Sequence, residues 1–211
     1  MKVRNEAARR GLIMASFSLW FVGLSLFSDI ACVRGSGSFV PEEAGVSQDE
    51  ANQRYFTDLE VVSHEGRRLR FYSDLLRDKL VVINFFYVNC PTAPPSMGKL
   101  FRLQNLLGER LGKEVILLSI SVDPERDTVE AVKEYAGKFN PKSGWVFVTG
   151  KKEHMDVINR KLGNTLTLPE GHLRVFLLGN TREGNWLKML ESAPASSLVE
   201  GLRSLSEPPP S

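Results

Sequence analysis

Cysteine is scarce in this chain: Cys32 and Cys90 are the only two in 211 residues, alongside three histidines. With 42% hydrophobic residues there is material for one globular domain of moderate size, which needs no disulfides to fold. Runs of lysine or arginine with interleaved aromatics are also missing. The net charge of +2 comes from interspersed signs and leaves no basic stripe for nucleic acid. A Gly-rich phosphate loop, a Ser/His/Asp constellation and an HExxH pair are all lacking, so nucleotide-dependent and hydrolytic readings have no residues to rest on. No internal repeat is visible.

What is present begins at the N-terminus, where MKVRNEAARR leads into the uncharged stretch GLIMASFSLWFVGLSLFS. Its length lies between a signal-peptide core and a spanning helix, and we read residues 1–31 as an uncleaved anchor, with a cleaved export signal as the alternative. The basic flank stays cytoplasmic, which places the rest of the chain on the far, periplasmic side of the membrane. Cys32, at the end of SDIAC, admits lipid attachment, although Asp29 stands where such a signal prefers an aliphatic residue. Residues 32–54 have the composition of a flexible tether and 206–211, ending in PPPS, that of a disordered tail. The folded part is expected over 55–205.

Within it, two strand-like runs flank a turn at His64 to Gly66, and KLVVINFFYV reads as a central strand covered on both faces. Met97, Leu100, Phe101, Leu107 and Leu111 recur at helical spacing, with a stop expected near Gly112. EVILLSISV is a second buried strand, a helix starts at Thr128, WVFVTG is a short strand, and KEHMDVINRKLG is a helix closed by Gly163. Two strands around Thr181 to Gly184 and a terminal helix follow. This order predicts an α/β domain of thioredoxin type, a central mixed sheet with helices on both faces.

Cys90 stands where the central strand gives way to a helix, a position in which backbone N–H groups and the helix end favour a thiolate. It is read as a nucleophile or a soft metal ligand, the alternative being an inert core cysteine. Pro94 and Pro95 suit the first turn of the following helix. Asp123 and Asp127 flank Pro124 in a strand-to-helix loop, where capping and turn formation account for them. His64, in its HEG turn, and His154, on a charged helix, are read as surface residues.

The stretch VVINFFYVNCPTAPPSMGKLFRLQNLLGERLGKEVILLSISVDPERDTVEAVKEYA resembles the Sco/SenC family, membrane-anchored thioredoxin-fold proteins that help deliver copper to cytochrome c oxidase. SVDPERDT and the cysteine loop ending in Met97 and Gly98 carry the likeness. In that family a CxxxC pair and a distant histidine bind copper. The resemblance therefore implies that Cys90 is the first cysteine, that Pro94 stands in place of the second, and that His172 in LPEGHLRVFLLGN is the histidine. It further implies a Cys90/His172 site for copper, better suited to Cu(I) than Cu(II). Met97 is a candidate third ligand, with core packing the preferred reading for a methionine on an apolar helix face, and Glu170 a candidate orienting group for His172, with solvation the commoner state of a loop glutamate. Disulfide exchange within the site lacks a resolving thiol.

Three functions stay open on this reading. The first is a copper-handling assembly factor whose partners are a respiratory oxidase subunit or another copper or thiol carrier. The second is a metal-free binding module at the membrane. The third is a single-cysteine peroxidase or thiol reductase, disfavoured because Tyr87 and Ile83 stand where peroxiredoxins carry Thr or Ser and Pro. Enzymatic activity is thus left undecided, with the non-enzymatic reading preferred.

Overall fold

A computed structural model describes residues 46–90, 95–165 and 169–207 of the compact unit Ala44–Ser211. The expected anchor, Cys32 and Pro94 lie outside the described residues. Among the described residues no helix is long and apolar enough to cross a membrane.

The sheet is built around β3 (Leu80–Phe86), whose β-branched and aromatic residues have an apolar layer on either side. It pairs in parallel with β4 (Val115–Ser121), which pairs in parallel with β5 (Trp145–Thr149). On its other side β3 meets β6 (Val175–Asn180) antiparallel, and β6 turns back into β7 (Asn185–Leu190). The hairpin of β1 (Glu60–Ser63) and β2 (Arg68–Arg70) joins β5, giving the order β2-β1-β5-β4-β3-β6-β7. The helices α3 (Pro95–Leu107), α4 (Val129–Gly137) and α6 (Ala195–Ser206) contribute to one core with Val82 and Phe86. Those named α1 (Gln48–Phe56), α2 (Phe71–Leu75) and α5 (Lys152–Lys161) contribute to the other with Val81, Ile83 and Phe85. This is the expected mixed α/β sheet of thioredoxin-like form. Alternate β3 side chains feed alternate cores, as the period of two requires. Asn84, on the α3 side, is buried and accepts from the Ser119 hydroxyl at 2.7 Å, which in turn accepts from the Trp145 indole at 3.1 Å.

Two expectations need correction. First, order begins before residue 55: Ser47 and Glu50 form a reciprocal capping box that starts α1 within the expected tether. Asn52 donates to the Thr181 carbonyl at 2.5 Å, and the Phe56 ring lies 5.1 Å from that of Trp186, so α1 is fastened to the β6–β7 hairpin. Second, α3 stops at Leu107, because Gly108 takes a left-handed conformation (φ +52°) and opens a short 3-10 turn. Leu111 is buried beyond the helix, and Phe101 is exposed. Gly163, at φ +81°, closes α5 as expected.

Replacing Ser47 by Ala removes the cap and is expected to lower unfolding free energy by about 1 kcal/mol in urea denaturation. An unchanged midpoint would mean that α1 contributes nothing to the fold.

Candidate metal and thiol site

The ends of the three parallel strands are drawn together by one buried residue, Asp127, through its carboxylate and its backbone carbonyl. Asp127, in the loop after β4, accepts from the Val88 backbone N–H at 3.0 Å and from the Ser121 hydroxyl at 2.5 Å. Its own carbonyl accepts from the Thr149 hydroxyl at 2.8 Å, and its N–H donates to the Asp123 carbonyl at 2.8 Å. Burial pushes the Asp127 carboxyl up, a tendency opposed by its bonds to Ser121 and Val88 and reinforced by the neighbouring charge of Asp123. Thr128, next in sequence, caps α4 by accepting from the Ala131 N–H. The motif SVDPERDT therefore both starts a helix and fixes where the β3 strand delivers its exit loop.

That loop turns at once, the Cys90 N–H donating to the Tyr87 carbonyl at 3.2 Å. Cys90 is a half-buried thiol that borders a cavity of about 20 Å³ together with Tyr87, Ser96, Tyr135, His172 and others. The fold thus brings Cys90 and His172 to one place. Tyr87 lies between them in contact terms: its hydroxyl is hydrogen-bonded to Cys90, and its ring meets His172 edge-on at 5.8 Å. Burial pushes the Tyr87 phenol up to about 12, helped by the bond to Cys90 and by negative charge at Cys90, Glu170 and Asp123.

His172 Nδ1 lies 2.8 Å from the Pro169 carbonyl. A carbonyl can only accept, so Nδ1 carries the proton and Nε2 keeps its lone pair for a metal. The expected orienting group, Glu170, is exposed, and the backbone of Pro169 performs that task instead.

A third element borders the cavity from the β6–β7 side. Arg174 donates to the Glu191 carboxylate at 2.7 Å, and Ser96, in the first turn of α3, also donates to it. Burial of Glu191 works to raise its carboxyl, but the bonds from Arg174 and Ser96 win and hold it below the usual range. Lys99 donates to the Glu191 carbonyl. The amino end of the helix that follows the cysteine loop is therefore anchored to the end of β7.

Other residues singled out in the sequence fall elsewhere. Met97 is fully buried in the apolar cluster of α3, α4 and α6 and is not among the cavity's lining residues, so packing accounts for its thioether. His64 and His154 are half-buried, not surface groups. Phe147 N–H donates to His64 Nδ1 at 3.3 Å, and His154 Nδ1 bonds the Glu60 carbonyl at 2.9 Å, so both tie β1 in place. Burial pushes the His64 imidazole down. A larger cleft, about 560 Å³, is lined by Asp123, Arg126, Lys152, Asn159, Arg160 and Glu170, among others. Two of its three cations, Arg126 and Lys152, are paired with Asp123 and Asp156, at 3.2 and 2.8 Å. The smaller cavity is the one lined by the thiol and the imidazole.

The family model described as SCO1/SenC matches residues 47–168, more than half of the chain. This protein belongs to the SCO1/SenC family. A SCO2-like protein of Rickettsia conorii is 30% identical over 113 residues, covering 53% of each chain, so the match spans about half the length of that relative. Arabidopsis thaliana ScoI, solved with copper bound, is 25% identical with a TM-score of 0.59, covering 72% of this chain and 98% of the other. BsSco, a member of the Sco family of cytochrome c oxidase assembly proteins for which a disulfide switch is described, is 22% identical with a TM-score of 0.59 over 72% and 92%.

Within this Sco frame the cavity is lined by one thiol, Cys90, and one imidazole, His172. Among the described residues no cluster of three or more His, Cys, Asp or Glu side chains is placed to hold a metal. A soft sulfur and one neutral imidazole nitrogen fit Cu(I) in two-coordinate geometry. Sequence reasoning did not assign Tyr135, Arg174, Glu191 and Ser96 to the site, because nothing in their local patterns points towards a cysteine.

The raised carboxyl of Asp127 stabilises the fold below the ordinary aspartate value of 3.8, and that contribution is lost as pH rises through the folded value. The stability of the parent relative to Asp127→Asn is therefore expected to grow as pH is lowered from 7 towards 4 in urea titrations. Asp127→Ala, which strands the Val88 and Ser121 donors, is expected to cost about 1–3 kcal/mol at pH 7.

Proposed function

We propose that this chain is a Sco-type copper-handling factor that serves assembly of a respiratory oxidase copper centre through a reduced two-ligand site. The observation that carries this reading is the meeting of Cys90 and His172 at one cavity, with the imidazole Nε2 available for a metal. The copper-bound ScoI relative supports it by similarity. Cu(I) is the cargo, held by the Cys90 sulfur and His172 Nε2. The residue at the position of the second family cysteine is Pro94, so the family's two-thiolate loop is not formed here. The chain would release Cu(I) by ligand exchange to an oxidase subunit or a copper carrier that supplies the missing thiolate. The site would face the periplasmic side, with the N-terminal segment as tether.

An anaerobic competition titration of Cu(I) against a chromogenic chelator tests this in the full-length chain carrying Cys32→Ser. The parent is expected to take up one copper. Cys90→Ser should abolish stoichiometric uptake, and His172→Ala should weaken it at least about tenfold, or roughly 1.4 kcal/mol. Equal and poor binding by all three would favour the metal-free binding module. Pro94→Cys restores the family spacing and is expected to tighten Cu(I) and to permit an intrachain disulfide with Cys90, detected as the loss of two titratable thiols after oxidation.

A further inference from the structure

The Cys90 cavity contains a polar group that the metal does not use. Tyr135, on α4, is 3% exposed and borders the same cavity, and its hydroxyl has no hydrogen-bond partner among the described residues. Its ring is fixed by Phe86, stacked at 5.3 Å, and by Phe139, edge-on at 5.2 Å, so the hydroxyl is not at liberty to turn towards solvent. A buried donor left unsatisfied is costly, and native structures keep few of them. The cavity's volume of about 20 Å³ has room for one water-sized group. Cys90 lines the same space, and oxidation of its sulfur by one oxygen would add a hydrogen-bonding atom there.

We propose that Cys90 is a site of reversible one-oxygen modification, forming a sulfenic acid whose oxygen is held by the Tyr135 hydroxyl. The oxidant is hydrogen peroxide or an organic hydroperoxide. The Cys90 sulfur attacks one peroxide oxygen, an S–O bond forms as the O–O bond breaks, and sulfur gives up the two electrons that the peroxide gains. The thiol proton ends on the departing oxygen, which leaves as water or an alcohol, while the hydrogen on the transferred oxygen stays in the S–O–H group. In the protein carrying Cys32→Ser no second thiol remains in the chain, so condensation to a disulfide needs an external thiol, which also restores the reduced state. Arg174, whose guanidinium interacts electrostatically with Cys90, borders the cavity as a cation that favours an anionic sulfur–oxygen group. The regulatory consequence rests on the copper reading above: the oxidised sulfur no longer serves as a Cu(I) thiolate. The chemistry itself does not depend on that reading.

The experiment uses metal-free, full-length protein carrying Cys32→Ser, treated with one equivalent of hydrogen peroxide and trapped with dimedone at increasing delays. Mass spectrometry is expected to find the adduct on Cys90, and Tyr135→Phe to shorten the trappable lifetime about tenfold through loss of one hydrogen bond. The phenylalanine variant keeps the stack on Phe86. Should it fail to fold, the same trapping on the parent in urea is the second measurement, and the lifetime is expected to collapse on unfolding. Equal lifetimes in parent and Tyr135→Phe would mean that the hydroxyl is occupied by ordinary water, and the proposal would be wrong. Progress to sulfinic acid with no trappable stage would equally overturn it. A long-lived sulfenic acid in a protein that takes up no copper would leave this inference standing and remove the copper reading. Stoichiometric copper without a trappable adduct would do the reverse.

Discussion

The buried carboxylate of Asp127 is the constraint on which the site depends. It gathers the Val88 N–H at the exit of β3, the Ser121 hydroxyl at the end of β4 and, through its backbone, the Thr149 hydroxyl at the end of β5. Three parallel strands thus end at fixed positions relative to one another, and the turn carrying Cys90 leaves from the first of them. Burial raises the cost of ionising this group, and the donors around it offset that cost. An unpaired donor in such a place is far more damaging than an apolar substitute would be, so the arrangement holds together as a unit.

From that anchor the site is assembled by elements that come from both edges of β3. The neighbouring antiparallel strand β6 is preceded by the turn that carries His172, while β7 is followed directly by Glu191, which holds the first turn of α3 through Ser96. Cys90 is therefore caught between a loop fixed by Asp127 and a helix fixed by Glu191. The backbone of Pro169 sets the tautomer of His172, so the imidazole presents its lone pair without any acidic helper. Pro94 stands where the family pattern has a second thiol, so dithiol exchange between those two positions is not available to this loop.

Much of the architecture was legible because it is written in local periodicity. The apolar run of β3, the Thr128 cap and the glycine after α5 each report a nearby backbone requirement, and each was placed correctly. The start of the fold was missed although Ser47 and Glu50 carry a capping signal, because the short helix they begin has few apolar residues and takes its stability from Asn52 and Phe56 meeting the β6–β7 hairpin. The stop of α3 was misplaced for a related reason: Leu111 is apolar and buried, yet it belongs to a bridge beside β4 and not to the helix.

The sequence by itself determined the family and the order of strands and of the helices from α3 onward, and it singled out Cys90 and His172, which the fold brings to one cavity. Only the tertiary structure decided what surrounds them. It placed Met97 in the core, the preferred of its two readings, and gave the orientation of His172 to the Pro169 carbonyl. It set the Tyr87 hydroxyl against Cys90 and brought Tyr135 to the same cavity. The physical reason is that helical and strand periods are encoded within a few residues, whereas the meeting of a strand exit, a helix face and a distant hairpin depends on how the whole sheet is ordered.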